Sequence, residues 1–248
     1  MDVEGEKAPI EEVVVREVDE RLRRVYGVSR LGNKEDPLDE LIFIILSGVT
    51  REAIYLATFD AMRARYATWD DAARAAPEEI EEIIRFGGLA GKKSRSIARL
   101  LAAVVAEVGH ADLSLLREMD DAMAETFLRR LPGVGPKTAR CVLSYSLGRS
   151  TFAVDAHVSR LMRRLGWSEH RTLTPRTQDQ LQAIVPPNIR LSLHVNFVTH
   201  GRSVCIELKP RCAECVLTDL CPSAFQKVGR RDRKPVRRVE HDPTPRSC

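Results

Sequence analysis

Apolar residues recur along this chain every three to four positions. Ile97, Leu100, Leu101, Val104, Val105 and Val108 fall at i, i+3, i+4, i+7, i+8 and i+11, and Val14, Val18, Leu22 and Val25 form a second stripe. This spacing gathers side chains on one face of a helix. No segment alternates apolar and polar residues over the length of a strand. Helix starts are marked at Asp36-Pro37, Ala76-Pro77, Gly135-Pro136 and Thr174-Pro175, because proline at the first helical position gives up an N–H that would have no partner there. The pattern predicts roughly ten helices with short connections, an all-α fold.

Composition and charge narrow this reading only a little. A chain of 248 residues can bury a substantial core. The longest apolar stretch, Leu41 to Leu46, falls well short of the roughly 20 residues that span a bilayer. With no signal-peptide core in MDVEGEKAP, no membrane partner is expected and a cytoplasmic location is. The net charge is +4, and the densest basic cluster is Gly229 to Arg238, in a tail read as disordered.

Candidate chemistry begins at LPGVGPKTA, residues 131–139. AMAETFLRR before it and PKTARCVLSYSLG after it read as helices, so the segment is a helix–hairpin–helix. Gly133 and Gly135 let the backbone approach a ligand, and N–H groups at a helix start suit phosphate oxygens. Lys137 then falls in the first turn, where the helix dipole disfavours a cation by roughly 0.3–1 kcal/mol. That is a poor place for a solubilising lysine and a better one for a neutral, nucleophilic amine. At its reference pKa a lysine is neutral in under roughly 0.1% of molecules at pH 7, and lowering the pKa to about 8 gives roughly 10%. Burial and the dipole are expected to supply that shift.

Further on, Asp155 precedes an amphipathic helix carrying Val158, Leu161, Met162 and Leu165 on one face. It reads as an N-cap, a role compatible with catalysis because capping holds the carboxylate rigidly. Cys205, Cys212, Cys215 and Cys221 then follow a C-x6-C-x2-C-x5-C pattern. Four thiolates in this spacing point to metal rather than disulfides, and by chemistry alone they suit either zinc or a [4Fe–4S] cluster. Cys141 reads as a small core residue.

LPGVGPKTA, FAVDAHVSRLMRRLG and the cysteine loop, in this order, resemble the endonuclease III branch of the helix–hairpin–helix DNA glycosylase superfamily, from about Asp36 to Pro222. The resemblance implies a six-helix barrel-like domain over residues 36–149. Against it would pack an iron–sulfur cluster domain made of residues 1–35 and 150–228, leaving 229–248 as the basic tail. Damaged double-stranded DNA would lie in the cleft between the domains. By position, Lys137 is the amine nucleophile, Asp155 the catalytic carboxylate, and the four cysteines the ligands of a [4Fe–4S] cluster. Gly133 and Gly135 grip the DNA backbone. Gly48, Val49 and Leu89 meet the gap left by a flipped nucleotide, and Lys92, Lys93, His157, Lys209 and Arg211 are further DNA contacts.

The implied activity is that of a monomeric, nucleoid-associated bifunctional glycosylase and abasic-site lyase for oxidised pyrimidines. A monofunctional alkylated-base glycosylase and a non-catalytic iron–sulfur damage sensor are the alternatives. Two departures from the family stand out. SGVTRE, residues 47–52, has Gly48 and Val49 where Gln or Asn is common, and Arg129 replaces an acidic residue.

Overall fold

A computed structural model describes residues 10–27 and 31–226. The described chain contains α-helices and short 3-10 turns and no strand, an all-α fold. The helices are α1 (Glu12–Tyr26), α2 (Pro37–Ser47), α3 (Glu52–Arg65), α4 (Trp69–Arg74), α5 (Pro77–Ile84), α6 (Ala90–Val108), α7 (Asp121–Arg130), α8 (Pro136–Tyr145), α9 (Ala156–Arg164), α10 (Pro175–Ile184) and α11 (Arg190–Ser203). The basic segment from Gly229 onward and Cys248 lie outside the described residues.

All four X-Pro starts are realised. Asp36 accepts from the N–H groups of Leu38 and Asp39 at 2.9 Å each, and Thr174 accepts from Thr177 N at 3.1 Å. These bonds satisfy donors that a helix start leaves open, each worth about 1 kcal/mol. The α6 stripe also holds, with Ile97, Leu100, Leu101 and Val104 fully buried. The α1 stripe is rotated from the expected one. Val15, Val18 and Leu22 are buried and Val25 is exposed, because α1 turns its inner face toward α11 along a line one residue over.

Two large hydrophobic cores result, with a small third cluster of Cys141, Tyr145, Ala153 and Val195. One gathers residues from Leu38 to Leu143 on helices α2–α8; the other joins α1 to α9–α11 and the cysteine loop, around Val18, Val158, Met162 and Phe197. The short α4, fastened by a Thr68–Asp71 capping box, makes seven α-helices rather than six in the first of these.

Candidate active site

The hairpin turns between α7 and α8 with Gly133 at φ 82°, a left-handed backbone that glycine alone adopts without cost. A Cβ at Gly133 or Gly135 would meet nothing within 4 Å, so the turn has free space beside it, and the first N–H groups of α8 have no partner within the helix. Lys137 stands in the first turn of that helix. Asp155 caps α9, accepting from Val158 N at 2.8 Å.

Both side chains line one cavity of about 70 Å³. Its walls come from helices of both cores: Phe43, Ile44 and Ser47 of α2, Tyr55 of α3, Cys141 and Tyr145 of α8, and His194, Val198 and Arg202 of α11, with Leu31 and Asn33 at the entry to α2. Cys141 is therefore buried, as expected of a core residue, and also borders the site. His194 is fixed by a 2.7 Å hydrogen bond between Nδ1 and Ala153 O.

The electrostatics correct one expectation. Lys137 is held above the ordinary lysine range. Attraction to Cys141 in its ionised form acts most strongly, burial opposes it, and Asp155 and Glu40 add to the rise. Burial pushes the Cys141 thiol itself up to about 11, and Asp155 and Glu40 are the carboxyl groups that oppose the desolvation of the ammonium. Burial pushes the Asp155 carboxyl up, but His194, the Val158 N–H, His157 and Lys137 together hold it below the usual range. Glu40, fully buried on α2, is pushed up to about 7 by desolvation, against the Lys34 N–H, Asn33 and Lys137.

Two loop tips, after α2 and before α6, are tied to each other by a hydrogen bond from Thr50 to Gly87 O. Val49 (φ 54°) and Leu89 (φ 55°) are both left-handed, and they are 93% and 55% exposed. For a β-branched valine this conformation is a strained one, costing on the order of 1–3 kcal/mol. Lys93 was expected at phosphate, and here too the structure differs. It is 5% exposed, and its Nζ donates to Leu46 O at 2.6 Å, Thr50 Oγ1 at 2.5 Å and Gly87 O at 3.3 Å. The three donors of its ammonium are spent tying the loop after α2 to the turn before α6. Lys92 beside it is exposed.

Helix α9 runs from Asp155 to the cysteine loop. Arg160 donates to Cys205 O at 3.0 Å and Gly201 O at 2.7 Å, and Arg164 donates to Cys205 Sγ at 3.0 Å and Glu207 O at 2.6 Å. Cys205, Cys212, Cys215 and Cys221 line a cavity of about 190 Å³. Among the described residues, no three His, Cys, Asp or Glu side chains converge as they would on a single ion. On the same cavity wall the buried Arg163 Nε has no hydrogen-bond partner. His200 bonds Tyr26 OH at 2.8 Å and Cys215 Sγ at 3.3 Å. His157 bonds Arg160 at 3.0 Å. Lys209 is exposed, whereas Arg211 is engaged within its own loop by Ser203 O and Glu214.

Asn33, Glu40, Tyr145 and His194 were not singled out from the sequence. Glu40 left a signal, an acid at i of the i, i+3, i+4, i+7 stripe it forms with Phe43, Ile44 and Ser47.

Comparison with known proteins agrees with this geometry. Residues 42–187 match the HhH-GPD superfamily of base excision DNA repair proteins. Endonuclease III of Thermotoga maritima is 30% identical over 205 residues, covering 82% of this chain and 92% of that one. Endonuclease III of Synechocystis is 31% identical over 205 residues, with 82% and 89% covered. A solved non-covalent endonuclease III–DNA complex superimposes with a TM-score of 0.74 at 27% identity, covering 87% of this chain and 97% of that one. Among the described residues no helix is long and apolar enough to cross a membrane. A hairpin with open amides, a lysine and a carboxylate on one cavity, and these relatives place the chain in the HhH-GPD superfamily of base excision DNA repair proteins, as an endonuclease III-like DNA glycosylase.

Proposed function

We propose that the protein is a bifunctional DNA glycosylase and abasic-site lyase that removes oxidised pyrimidines from duplex DNA. The observation that carries this reading is the meeting of Lys137 and Asp155, from two different helix starts, on one cavity walled by both cores. DNA lies against the junction of those cores, residues 36–149 on one side and 1–35 with 150–228 on the other, and the damaged nucleotide turns out into the cavity. Unstacking and unpairing cost a few kcal/mol, and Val49 and Leu89 occupy the space vacated. The α8 amides hold backbone phosphate.

Lys137 first gives up a proton, and Asp155 in the same cavity is the nearby base. The Nζ lone pair attacks the sugar C1′ as the bond to the base breaks, the base leaving with its electron pair and taking up a proton. Ring opening gives an imine between Nζ and C1′. Loss of a C2′ proton then expels the 3′ phosphate, which cuts the strand. Asp155 passes that proton to the departing base, and the carboxylate so restored stabilises the cationic sugar intermediate that follows.

The four cysteines fit a [4Fe–4S] cluster in the chemistry of their surroundings. They stand around a cavity rather than on a point, the Arg164 guanidinium and Leu217 N–H donate to sulfur, and Arg163 Nε is orphaned on the same wall. Cys205, Cys212, Cys215 and Cys221 would hold the cluster, which when bound cross-links residues 205–221 at four points. The protein acts as a nucleoid-associated, cytoplasmic monomer.

The upward shift of Lys137 in this buried site favours a second reading, a monofunctional alkylated-base glycosylase in which the lysine is not the nucleophile. Borohydride reduction decides between them. It traps a covalent complex with an abasic-site duplex, Lys137→Gln abolishes the trap while DNA binding largely persists, and trapping undiminished in that variant refutes the assigned nucleophile.

A further inference from the structure

The same pocket contains a carboxyl group for which the reaction above has no use. Glu40 is 0% exposed, and both of its oxygens are engaged. Oε1 accepts from Asn33 Nδ2, and Oε2 accepts from the Lys34 N–H at 2.8 Å. Asn33 in turn lines the cavity that holds Lys137 and Asp155.

A primary amide has unlike ends, and which end points where is settled by its partners. With Oε2 taken by the Lys34 N–H, Glu40 accepts one of the two N–H groups of Nδ2 at Oε1 and keeps the amide from turning over. Where Glu40 takes the N–H trans to Oδ1, the remaining N–H and Oδ1 lie side by side as a donor next to an acceptor. Among the nearby polar groups, Ser47 spends its hydroxyl proton on Ile44 O at 2.8 Å, whereas among the described residues Asn33 bonds through Nδ2 to Glu40 alone.

We propose that Asn33, held in one orientation by Glu40, reads the flipped base, with Oδ1 accepting an N–H from its Watson–Crick edge and the second amide N–H donating to the neighbouring acceptor. The edge that fits has a donor beside an acceptor. Uracil- and thymine-type rings offer N3–H and the C4 carbonyl, and cytosine-type rings offer the amino group and N3. Glu40 is a positioning residue that acts through Asn33. This inference rests on the reading that a flipped nucleotide enters the Lys137 cavity.

The test compares single-turnover base removal from duplexes carrying 5,6-dihydrouracil or its 3-deaza counterpart, in which C–H replaces N3–H. Each rate is divided by the abasic-site cleavage rate of the same protein. The full-length wild type should prefer the N3–H lesion by roughly tenfold, because the analogue leaves a buried amide oxygen unpaired. Asn33→Leu should bring the preference to within about twofold. Glu40→Gln should do likewise, because Gln can face either end of the Asn33 amide and frees it to turn; it also serves should Asn33→Leu fail to fold. A preference unchanged in both variants overturns the proposal, as does equal removal of the two lesions by the wild type. A wild type that traps no abasic duplex with borohydride instead overturns the assignment of Lys137, and this inference with it.

Discussion

Replacing Lys93 with Met tests whether the two exposed tips depend on one buried ammonium. Methionine keeps the side chain out to Cε and removes the hydrogen bonds to Leu46 O, Thr50 Oγ1 and Gly87 O. Thr50 still donates to Gly87 O at 2.9 Å, so the heaviest loss falls on Leu46. Its carbonyl lies in the last turn of α2, where helix geometry supplies no partner and the dipole is negative. Hydrogen bonds from a charged donor are worth about 1.5–3 kcal/mol each, and the cost of desolvating the ammonium offsets part of that sum. The same desolvation holds the Lys93 pKa below its ordinary value.

A net loss of about 3 kcal/mol follows, which for a chain of this size lowers Tm by roughly 6–12 °C. Function should change unevenly. With the loops untied, base removal from fully paired duplexes should slow more than cleavage at abasic sites, because only the former requires the gap in the stack to be held open. Thermal denaturation and single-turnover rates on both substrates measure this. A Tm within about 2 °C of the wild type, or equal slowing on both substrates, would refute the idea that Lys93 spaces the tips.

Three further outcomes are expected. The purified protein should contain about four iron atoms and four sulfides per chain, and stoichiometric zinc without iron in protein prepared anaerobically would exclude the cluster. Val49→Gln should speed removal from paired duplexes by roughly 2- to 13-fold, since an amide there can bond the orphaned base, and four opposite-base duplexes compared at single turnover would show whether the gain is selective. Because the Glu40 carboxyl rises from 4.5 to about 7 on folding, the folded state binds its proton more tightly. The stability this gives is complete below pH 4.5 and is lost as pH climbs through 7, about 3 kcal/mol in all. Urea unfolding of Glu40→Gln should lack that loss, and parallel pH profiles would contradict it.

Local chemistry was the part most legible in the sequence. The Asp36, Thr174 and Asp155 caps, the Gly133 turn and the first-turn position of Lys137 depend on neighbours within four residues, and all could be read from the chain. Features that depend on distant segments were not. Lys93 shares a Lys-Lys pair with Lys92, and only the fold shows that one points inward to Leu46 and Gly87 while the other stays in solvent. The direction of the Lys137 shift differs from the expected one for the same reason, since the buried Glu40 arrives from another helix. Val25 fell out of its stripe because the direction of the inner face of α1 is set by α11.

One helix turn combines two functions of the active site. The open amides that follow Gly135 and the amine of Lys137 belong to the same rigid segment of α8, so the distance between the anchoring point and the attacking atom is built in like the gap of a caliper. Under the proposed reaction, the enzyme measures out from a gripped phosphate and reaches only the sugar that lies at the set span. A single alanine inserted between Pro136 and Lys137 would advance the amine by about 1.5 Å and swing it by about 100°, leaving the anchor in place and the jaws set to the wrong width.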